Sequence, residues 1–412
     1  MEQTIGNIIR TITLGHVDDG KSTLIGRLLF DSKVLFEDLL LSLEQASIRK
    51  GNRLDLSMVT DGLRDERELG ITIDVAYRYF STPQHRFILI DSPGHEEYTR
   101  NMVTGASNAN IAIIMVDVRN GMQIQTKRHL FIANLLGIDD FVVCINKMDL
   151  VDYKEENYKK IVTQFESYKR SWGLPNLHYI PISALQGDNV VEQSTKMPWY
   201  KNKTLIKTLM DIPSTKNQDQ GSFRLPIQYI FPNSQNKIVS GRISSGKLKI
   251  GDQLKLMRTG ETVIVESILN PTLPVLEGGA GLSVTIHLDS TISINRGDIL
   301  VHPNSPTKNG NNIESILCWL DANQWDSTKT YILQHQQKEI MARISNILYI
   351  QNINHPNIKD LSNHIGMNDI ANVTLELKES LYFDSYKENH VTGSFILIDP
   401  ITNHTVAAGL IQ

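Results

Sequence analysis

Only two of the 412 residues are cysteines, Cys144 and Cys318. Two distant thiols build neither a disulfide framework nor a zinc site, and such usage suits a reducing compartment. Cys144 lies inside the apolar run 141–145, where a small buried hydrophobe is expected. No apolar stretch approaches the ~20 residues of a membrane span. The opening Met1-Glu2-Gln3-Thr4-Ile5-Gly6 lacks the basic region and apolar core of a signal peptide. The expectation is a cytoplasmic protein with no membrane partner. Excess charge of one sign is also missing: 41 basic against 45 acidic side chains leave a net charge of −4. That balance gives no electrostatic footprint of a nucleic-acid binder and argues against nucleic acid as a partner, short of a local basic patch.

A chain of this length exceeds one ordinary core, so two or three domains are expected. Up to about residue 210, strand-like runs at 86–90, 111–116, 141–145 and 179–182 alternate with helical segments at 98–109 and 126–136. That alternation reads as an α/β fold, a mainly parallel sheet with helices on both faces. The charged stretch 31–70 is too long for a plain loop and reads as helices with a mobile effector segment. Residues 212–221 are polar and unpatterned, a linker. Beyond them, short β-type runs at 226–231, 237–243, 262–268, 282–288 and 298–301, punctuated by Gly, Asn and Asp, point to an antiparallel β-barrel. After a soft break at 303–310, runs at 330–334, 343–350, 371–377 and 393–398 point to another. The expected domains are 1–212, 222–306 and 307–412.

The chemistry is concentrated in the first domain. Gly15-His16-Val17-Asp18-Asp19-Gly20-Lys21-Ser22, followed by Thr23, fits the phosphate-cradling pattern G-x-x-x-x-G-K-[ST] at every defined position. A β-branched run precedes it and a helix-like stretch follows, which is the context that pattern needs. Backbone N–H groups and a helix N-terminus point at the phosphates. Lys21 reaches the β- and γ-phosphates, and the Ser22 hydroxyl is placed for Mg²⁺. Gly241-Arg242-Ile243-Ser244-Ser245-Gly246-Lys247 matches part of the same pattern, but Leu248 follows and β-type runs surround it. It reads as a turn lysine.

Asp91-Ser92-Pro93-Gly94-His95 follows the run 87–90. Asp91 is placed to hold Mg²⁺ through water. Gly94 lets its backbone N–H approach the γ-phosphate, and His95 is placed to orient the attacking water. Upstream, Thr72 in Gly70-Ile71-Thr72-Ile73-Asp74 can contact Mg²⁺ and the γ-phosphate, so loss of that phosphate releases the segment. Asn146-Lys147-Met148-Asp149 ends the run 142–145. The Asp149 carboxylate accepts from guanine N1–H and its 2-amino group, donors that adenine lacks. Asn146 supports the loop, and the Lys147 stem can lie over the purine. Ser183-Ala184-Leu185 offers the Ala184 N–H to guanine O6. The predicted nucleotide is GTP with Mg²⁺, the predicted metal ligands are Ser22, Thr72 and Asp91, and the predicted catalytic pair is Lys21 and His95.

These motifs, in this order and followed by two β domains, resemble the translation-factor class of GTPases over essentially the whole chain. The resemblance implies that Val17 and Ile71 form an apolar gate flanking His95, with a core role as the alternative, and that Asp18 helps hold a monovalent cation. Within that class two functions compete. One is delivery of aminoacyl-tRNA by an elongation factor. The other is the large GTPase subunit of bacterial sulfate adenylyltransferase, in which GTP hydrolysis drives formation of adenosine 5′-phosphosulfate and pyrophosphate from ATP and sulfate on a separate catalytic small subunit. The flanking sequences 22–31, 61–80, 96–102, 104–107 and 393–399 are similar to the second family. That resemblance implies the small subunit as partner, and a fused adenylylsulfate kinase, found in some relatives, is not expected. The acidic-basic run 64–68 reads equally as a solvated helix face or as a contact with that partner.

Overall fold

The computed structural model describes residues 8–32, 66, 72–82, 84–213, 221–232, 238–270, 272–289, 292–306, 308–355 and 358–412. The effector segment expected over 31–70 therefore lies outside the described residues, apart from Asp31, Ser32 and Glu66. Part of the linker at 212–221 does too. Two compact units divide the chain: Met1–Thr215 with Ile353–Pro356, and Lys216–Asn352 with Asn357–Gln412.

The first unit is built on six strands, β1 (Ile8–Gly15), β2 (Ala76–Ser81), β3 (Arg86–Asp91), β4 (Ile111–Asp117), β5 (Asp140–Asn146) and β6 (Asn176–Pro181). Their order in the sheet is β2-β3-β1-β4-β5-β6. Every pairing is parallel except that of the edge strand β2 with β3. All seven residues of β4 are buried, as a central parallel strand covered on both faces requires. The helices are α1 (Lys21–Asp31), α2 (Thr99–Ala106), α3 (Ile124–Leu135), α4 (Glu155–Trp172) and α5 (Leu205–Asp211). The sequence patterns locate β1, β3, β4, β5, β6, α1, α2 and α3 to within a few residues. They miss β2, whose residues 76–79 alternate half-buried with exposed, and α4, which buries only Ile161, Phe165 and Tyr168. That narrow stripe is a weak periodic signal. Its ends carry a clearer one: Glu155 and Glu156 in the first turn, Lys169 and Arg170 in the last, and Gly173 in the left-handed conformation at the C-cap.

The register sets the candidate site. Thr13 pairs with Asp91, Gly15 with Met115, Asp117 with Asn146 and Ile145 with Pro181. The C-terminal ends of β1, β3, β4, β5 and β6 thus finish side by side. Ligands of open α/β sheets bind in the crevice outside those ends.

The second unit holds two closed antiparallel rings. Strands Gln253–Leu256, Ile299–Val301, Arg224–Ile230, Ile238–Arg242, Ser283–Asp289 and Thr262–Asn270 form one, closed by pairing of the first with the last. Strands Tyr331–His335, Ser394–Ile398, Thr405–Ile411, Lys308–Trp319, Ile370–Phe383 and Lys338–Gln351 form the other in the same way. Each ring encloses its own apolar core. The strand Lys308–Trp319 begins inside the break expected at 303–310, because its first five residues are exposed or half-buried and polar. A buried, bidentate ion pair links the rings: Arg224 Nε and Nη2 donate to Asp384 at 2.9 and 2.8 Å. Lys247 opens a short strand after Gly246 turns at φ +72°. No helix follows it, as the turn reading of that lysine requires.

Candidate nucleotide site

The phosphate loop runs from the last residue of β1 to the first of α1. Gly15 and Gly20 hold φ of +143° and +95°. A Cβ on Gly15 would lie 2.5 Å from the Met115 carbonyl oxygen, and one on Gly20 would lie 2.4 Å from Asn146 Nδ2. Both positions need glycine. Asp18 is exposed at φ +62°. Asp19 is the loop's internal brace. Its carboxylate accepts from the N–H of His16 at 2.8 Å and of Asp117 at 3.2 Å. Burial raises its pKa to about 6, against the opposing pull of Lys21 and of those hydrogen bonds.

Lys21 is buried, and Nζ donates to the carbonyls of His16 at 2.8 Å and Gly15 at 3.3 Å. Burial lowers its pKa below the ordinary lysine value, although Asp19, Asp91 and Asp18 all favour its charge. A Cβ on Gly94 would sit 2.4 Å from Lys21 Nζ and 3.0 Å from the backbone of His16 and Val17. The Asp91–Gly94 turn is therefore pressed against the phosphate loop. Asp91, Ser92, Pro93 and Gly94 are all buried. Thr13 Oγ1 donates to Asp91 Oδ1 at 3.1 Å, and the Ser92 hydroxyl donates to the Thr13 carbonyl. Ser22 Oγ and Thr72 Oγ1 stand 3.3 Å apart, with Thr23 next on α1. Two hydroxyls this close fit Mg²⁺, which keeps several waters and takes phosphate oxygens rather than an all-protein cage. No group of three His, Cys, Asp or Glu side chains suited to a metal is found among the described residues.

Asn146 joins the two halves of the site. Nδ2 donates to the Asp19 carbonyl at 2.8 Å, and Oδ1 accepts from the Ala184 N–H at 2.9 Å. The Ala184 N–H predicted to serve guanine O6 is thus engaged by Asn146, and must be shared or released to do so. Ser183 Oγ donates to Asp149 Oδ1 at 2.7 Å, fixing that carboxylate. Met148 is fully buried and Leu185 faces outward. Lys147, at φ +64°, donates to the Asp18 carbonyl at 2.5 Å and pairs with Asp117 at 3.0 Å.

His95 begins a short turn, 95–98, and its Nε2 is buried without a hydrogen-bond partner among the described residues. It borders a cavity of about 530 Å³ also lined by His16, Val17, Glu96, Gln125 and Arg128. Val17 is half-buried there, whereas Ile71, the other side of the expected gate, lies outside the described residues.

Sequence reading missed several supports. Asp117 ends β4. Burial alone would raise its pKa, but hydrogen bonds from Arg119 and Lys147 outweigh that and hold it at about 2. Arg27 on α1 donates to the carbonyls of Ala184 and Leu185. Of the run 64–68, only Glu66 is described. It is buried, and Oε1 accepts from the N–H of Ile73 at 3.0 Å and Asp74 at 3.3 Å. At Glu66, therefore, the run is not a solvated face.

Comparison with known proteins gives the family. The family model described as the elongation factor Tu GTP binding domain matches residues 6–215, and the GTP-eEF1A C-terminal domain-like model matches residues 312–412. Proteins named sulfate adenylyltransferase subunit 1 match nearly the whole chain. The one from Bacteroides fragilis is 43% identical across 98% of this chain and 86% of its own length. The one from Francisella tularensis subsp. novicida is 44% identical over the same shares. The chain belongs to the sulfate adenylyltransferase subunit 1 family. The Sulfurovum member of the family is 41% identical across 98% of this chain and 87% of its own. A solved structure of sup35 complexed with GDP aligns at 21% identity and TM-score 0.44, too slight a likeness to say more. No helix among the described residues is long and apolar enough to cross a membrane.

Proposed function

We propose that this chain is the GTP-hydrolysing subunit of a sulfate adenylyltransferase. In this reading GTP hydrolysis drives a catalytic small subunit to form adenosine 5′-phosphosulfate and pyrophosphate from ATP and sulfate. Near-full-length identity to proteins named sulfate adenylyltransferase subunit 1 carries the choice over aminoacyl-tRNA delivery. The phosphate–sulfate anhydride is a high-energy bond, so its formation needs an external drive. A γ-phosphate-dependent conformation supplies one if the partner's ligands bind the two states differently.

The roles assigned to residues follow the site's geometry. The loop 15–22, with Thr23 at the start of α1, cradles the phosphates. Lys21 leaves the Gly15 and His16 carbonyls to meet the β- and γ-phosphates. Ser22, Thr72 and Asp91 would hold Mg²⁺. Bound Mg²⁺ neutralises phosphate charge. The buried turn Asp91-Ser92-Pro93-Gly94 brings the Gly94 N–H to the γ-phosphate, and His95 orients the attacking water. Asp149, held by Ser183, reads guanine. Asn146, Lys147, Met148, Ala184 and Leu185 shape the base loop. Rate enhancement comes from positioning and charge stabilisation. We assign the domains as 1–212, 222–306 and 307–412, and the compartment as the cytoplasm.

The deciding experiment mixes the purified chain with a candidate small subunit and follows GTP-dependent adenosine 5′-phosphosulfate formation. Product that needs both chains and GTP is expected. GTP-dependent capture of aminoacyl-tRNA with no such product would overturn the proposal.

A further inference from the structure

The backbone just after Thr72 is held by side chains from two directions. Glu66 Oε1 accepts from the N–H of Ile73 at 3.0 Å and of Asp74 at 3.3 Å. Asn101 Nδ2 donates to the Ile73 carbonyl at 2.7 Å. A peptide N–H can only donate and a peptide carbonyl can only accept, so each contact has a single chemical reading. The Asp74 carboxylate adds a bond from the Val75 N–H at 2.7 Å. Residues 72–75 precede β2 and belong to no strand or helix. Side chains therefore satisfy backbone groups that a ladder satisfies in β2.

Both holding groups have firm footing. Asn101 lies on α2, whose Thr99, Met102, Val103, Gly105 and Ala106 are buried. Gly105 follows Asn101 by one turn and shares its face. A Cβ there would lie 3.0 Å from Ile12 Cδ1 on β1, 3.1 Å from Ile90 Cγ2 on β3 and 3.5 Å from Val75 Cγ1. The helix is thus pressed onto the sheet, and Val75 comes down beside its bare turn. Glu66 is only 5% exposed. A carboxylate that far from water needs hydrogen bonds in its place, and consecutive N–H groups seven and eight residues later supply two. Thr72 stands one residue before the held backbone, with Oγ1 3.3 Å from Ser22 Oγ. Ile73 is fixed at both its N–H and its carbonyl, which leaves Thr72 little freedom to move away from Ser22.

We propose that Glu66 and Asn101 are positioning residues, a clip on the 73–74 backbone that keeps the Thr72 hydroxyl beside Ser22 for Mg²⁺. The proposal rests on the GTPase reading above. Neither side chain is assigned a contact with nucleotide or metal; both act through Thr72. Groups that orient a metal ligand set the metal's affinity although they do not touch it. Glu66 holds two N–H groups and Asn101 one carbonyl, so loss of Glu66 has the larger effect.

Glu66→Ala, Glu66→Gln and Asn101→Ala in the full-length chain make the test. Glu66→Ala should raise the Mg²⁺ concentration for half-maximal GTP hydrolysis about tenfold. Asn101→Ala should raise it by a smaller factor. Glutamine keeps an acceptor oxygen for the two N–H groups, so Glu66→Gln should stay within about threefold of wild type. GTP affinity measured in EDTA should be the same in all four proteins. A merely structural role would lower Tm and leave the Mg²⁺ midpoint in place. Should Glu66→Ala fail to fold, Asn101→Ala carries this arm, since it empties only a half-buried contact. Hydrogen exchange gives a readout apart from turnover. The Ile73 and Asp74 amides should be protected in wild type and in Glu66→Gln, and should exchange at least about tenfold faster in Glu66→Ala. A wild-type Mg²⁺ midpoint in the folded alanine variants overturns the assignment alone, as do unprotected Ile73 and Asp74 amides in wild type. A wild-type chain that turns over no GTP refutes the GTPase reading itself and reduces the clip to a structural contact.

Discussion

Asn146→Ala is the substitution whose cost can be worked most directly from the structure. The Asn146 side chain is 3% exposed and serves two backbone groups, the Asp19 carbonyl at 2.8 Å and the Ala184 N–H at 2.9 Å. Truncation leaves both without a protein partner. An unsatisfied buried polar group costs about 1–3 kcal/mol, so two cost about 2–6 kcal/mol. That is a large share of a domain stability of about 5–15 kcal/mol. The phosphate loop and the base loop also lose their shared tie, so guanine-nucleotide affinity should fall at least about tenfold. The assay is urea unfolding, reading the transition that GTP moves upward, since a ligand displaces only the transition of the unit that binds it. The expected outcome is a lower midpoint at unchanged m-value, alongside weaker GTP binding. A loss below about 0.5 kcal/mol would refute the reasoning. It would mean that water enters the gap and satisfies both groups.

Lys21→Ala should abolish GTP binding or turnover, and normal hydrolysis by that variant would sink the loop assignment. Asp149→Asn should shift preference from guanine toward xanthine nucleotides in competition binding; unchanged preference for GTP would refute the role of that carboxylate. Asp384→Ala leaves buried Arg224 unpaired and should cost about 3–5 kcal/mol in the unfolding of the two-ring unit, whereas a loss under about 1 kcal/mol would assign the pair to specificity alone. Asp19 has a folded pKa of about 6 against 3.8, so its stability contribution falls as pH rises from about 4 to 6. His129, at about 3 against 6.5, contributes stability that rises over the same window. Removing the first slope with Asp19→Asn should make stability climb more steeply with pH, by up to about 1.4 kcal/mol per unit, in urea midpoints taken between pH 4 and 7. Parallel profiles for the variant and wild type would contradict it.

The legible part of this molecule is the part whose chemistry is local in sequence. Gly15–Ser22, Asp91–His95 and Asn146–Asp149 each put their functional groups within eight residues of one another, and each follows a strand that announces itself by a β-branched or apolar run. The long α/β alternation and the short barrel strands were readable for the same reason. The α4 helix and β2 were not, because an amphipathic helix with three buried residues and an edge strand bury too little to leave a clear period. Asp117, Arg27, Gln125, Arg128 and His129 were invisible as site residues because tertiary packing alone brings them to the loop. Asp117 could have been suspected, since it ends a fully buried strand and stands two residues before an arginine.

Those supports change what the phosphate loop is. Taken alone, it is eight residues with two glycines in left-handed territory, and nothing local would hold them there. In the folded chain its N–H groups and carbonyls are held from outside by Asn146 on β5, by Lys147 just beyond it and by His129 on α3. Asp19 reaches outward in turn to the N–H of Asp117 on β4. The loop's shape is therefore a property of the sheet's C-terminal edge as a whole. Changes at these outside positions should act on the cradle as strongly as changes within the motif, although none of them would touch a bound phosphate.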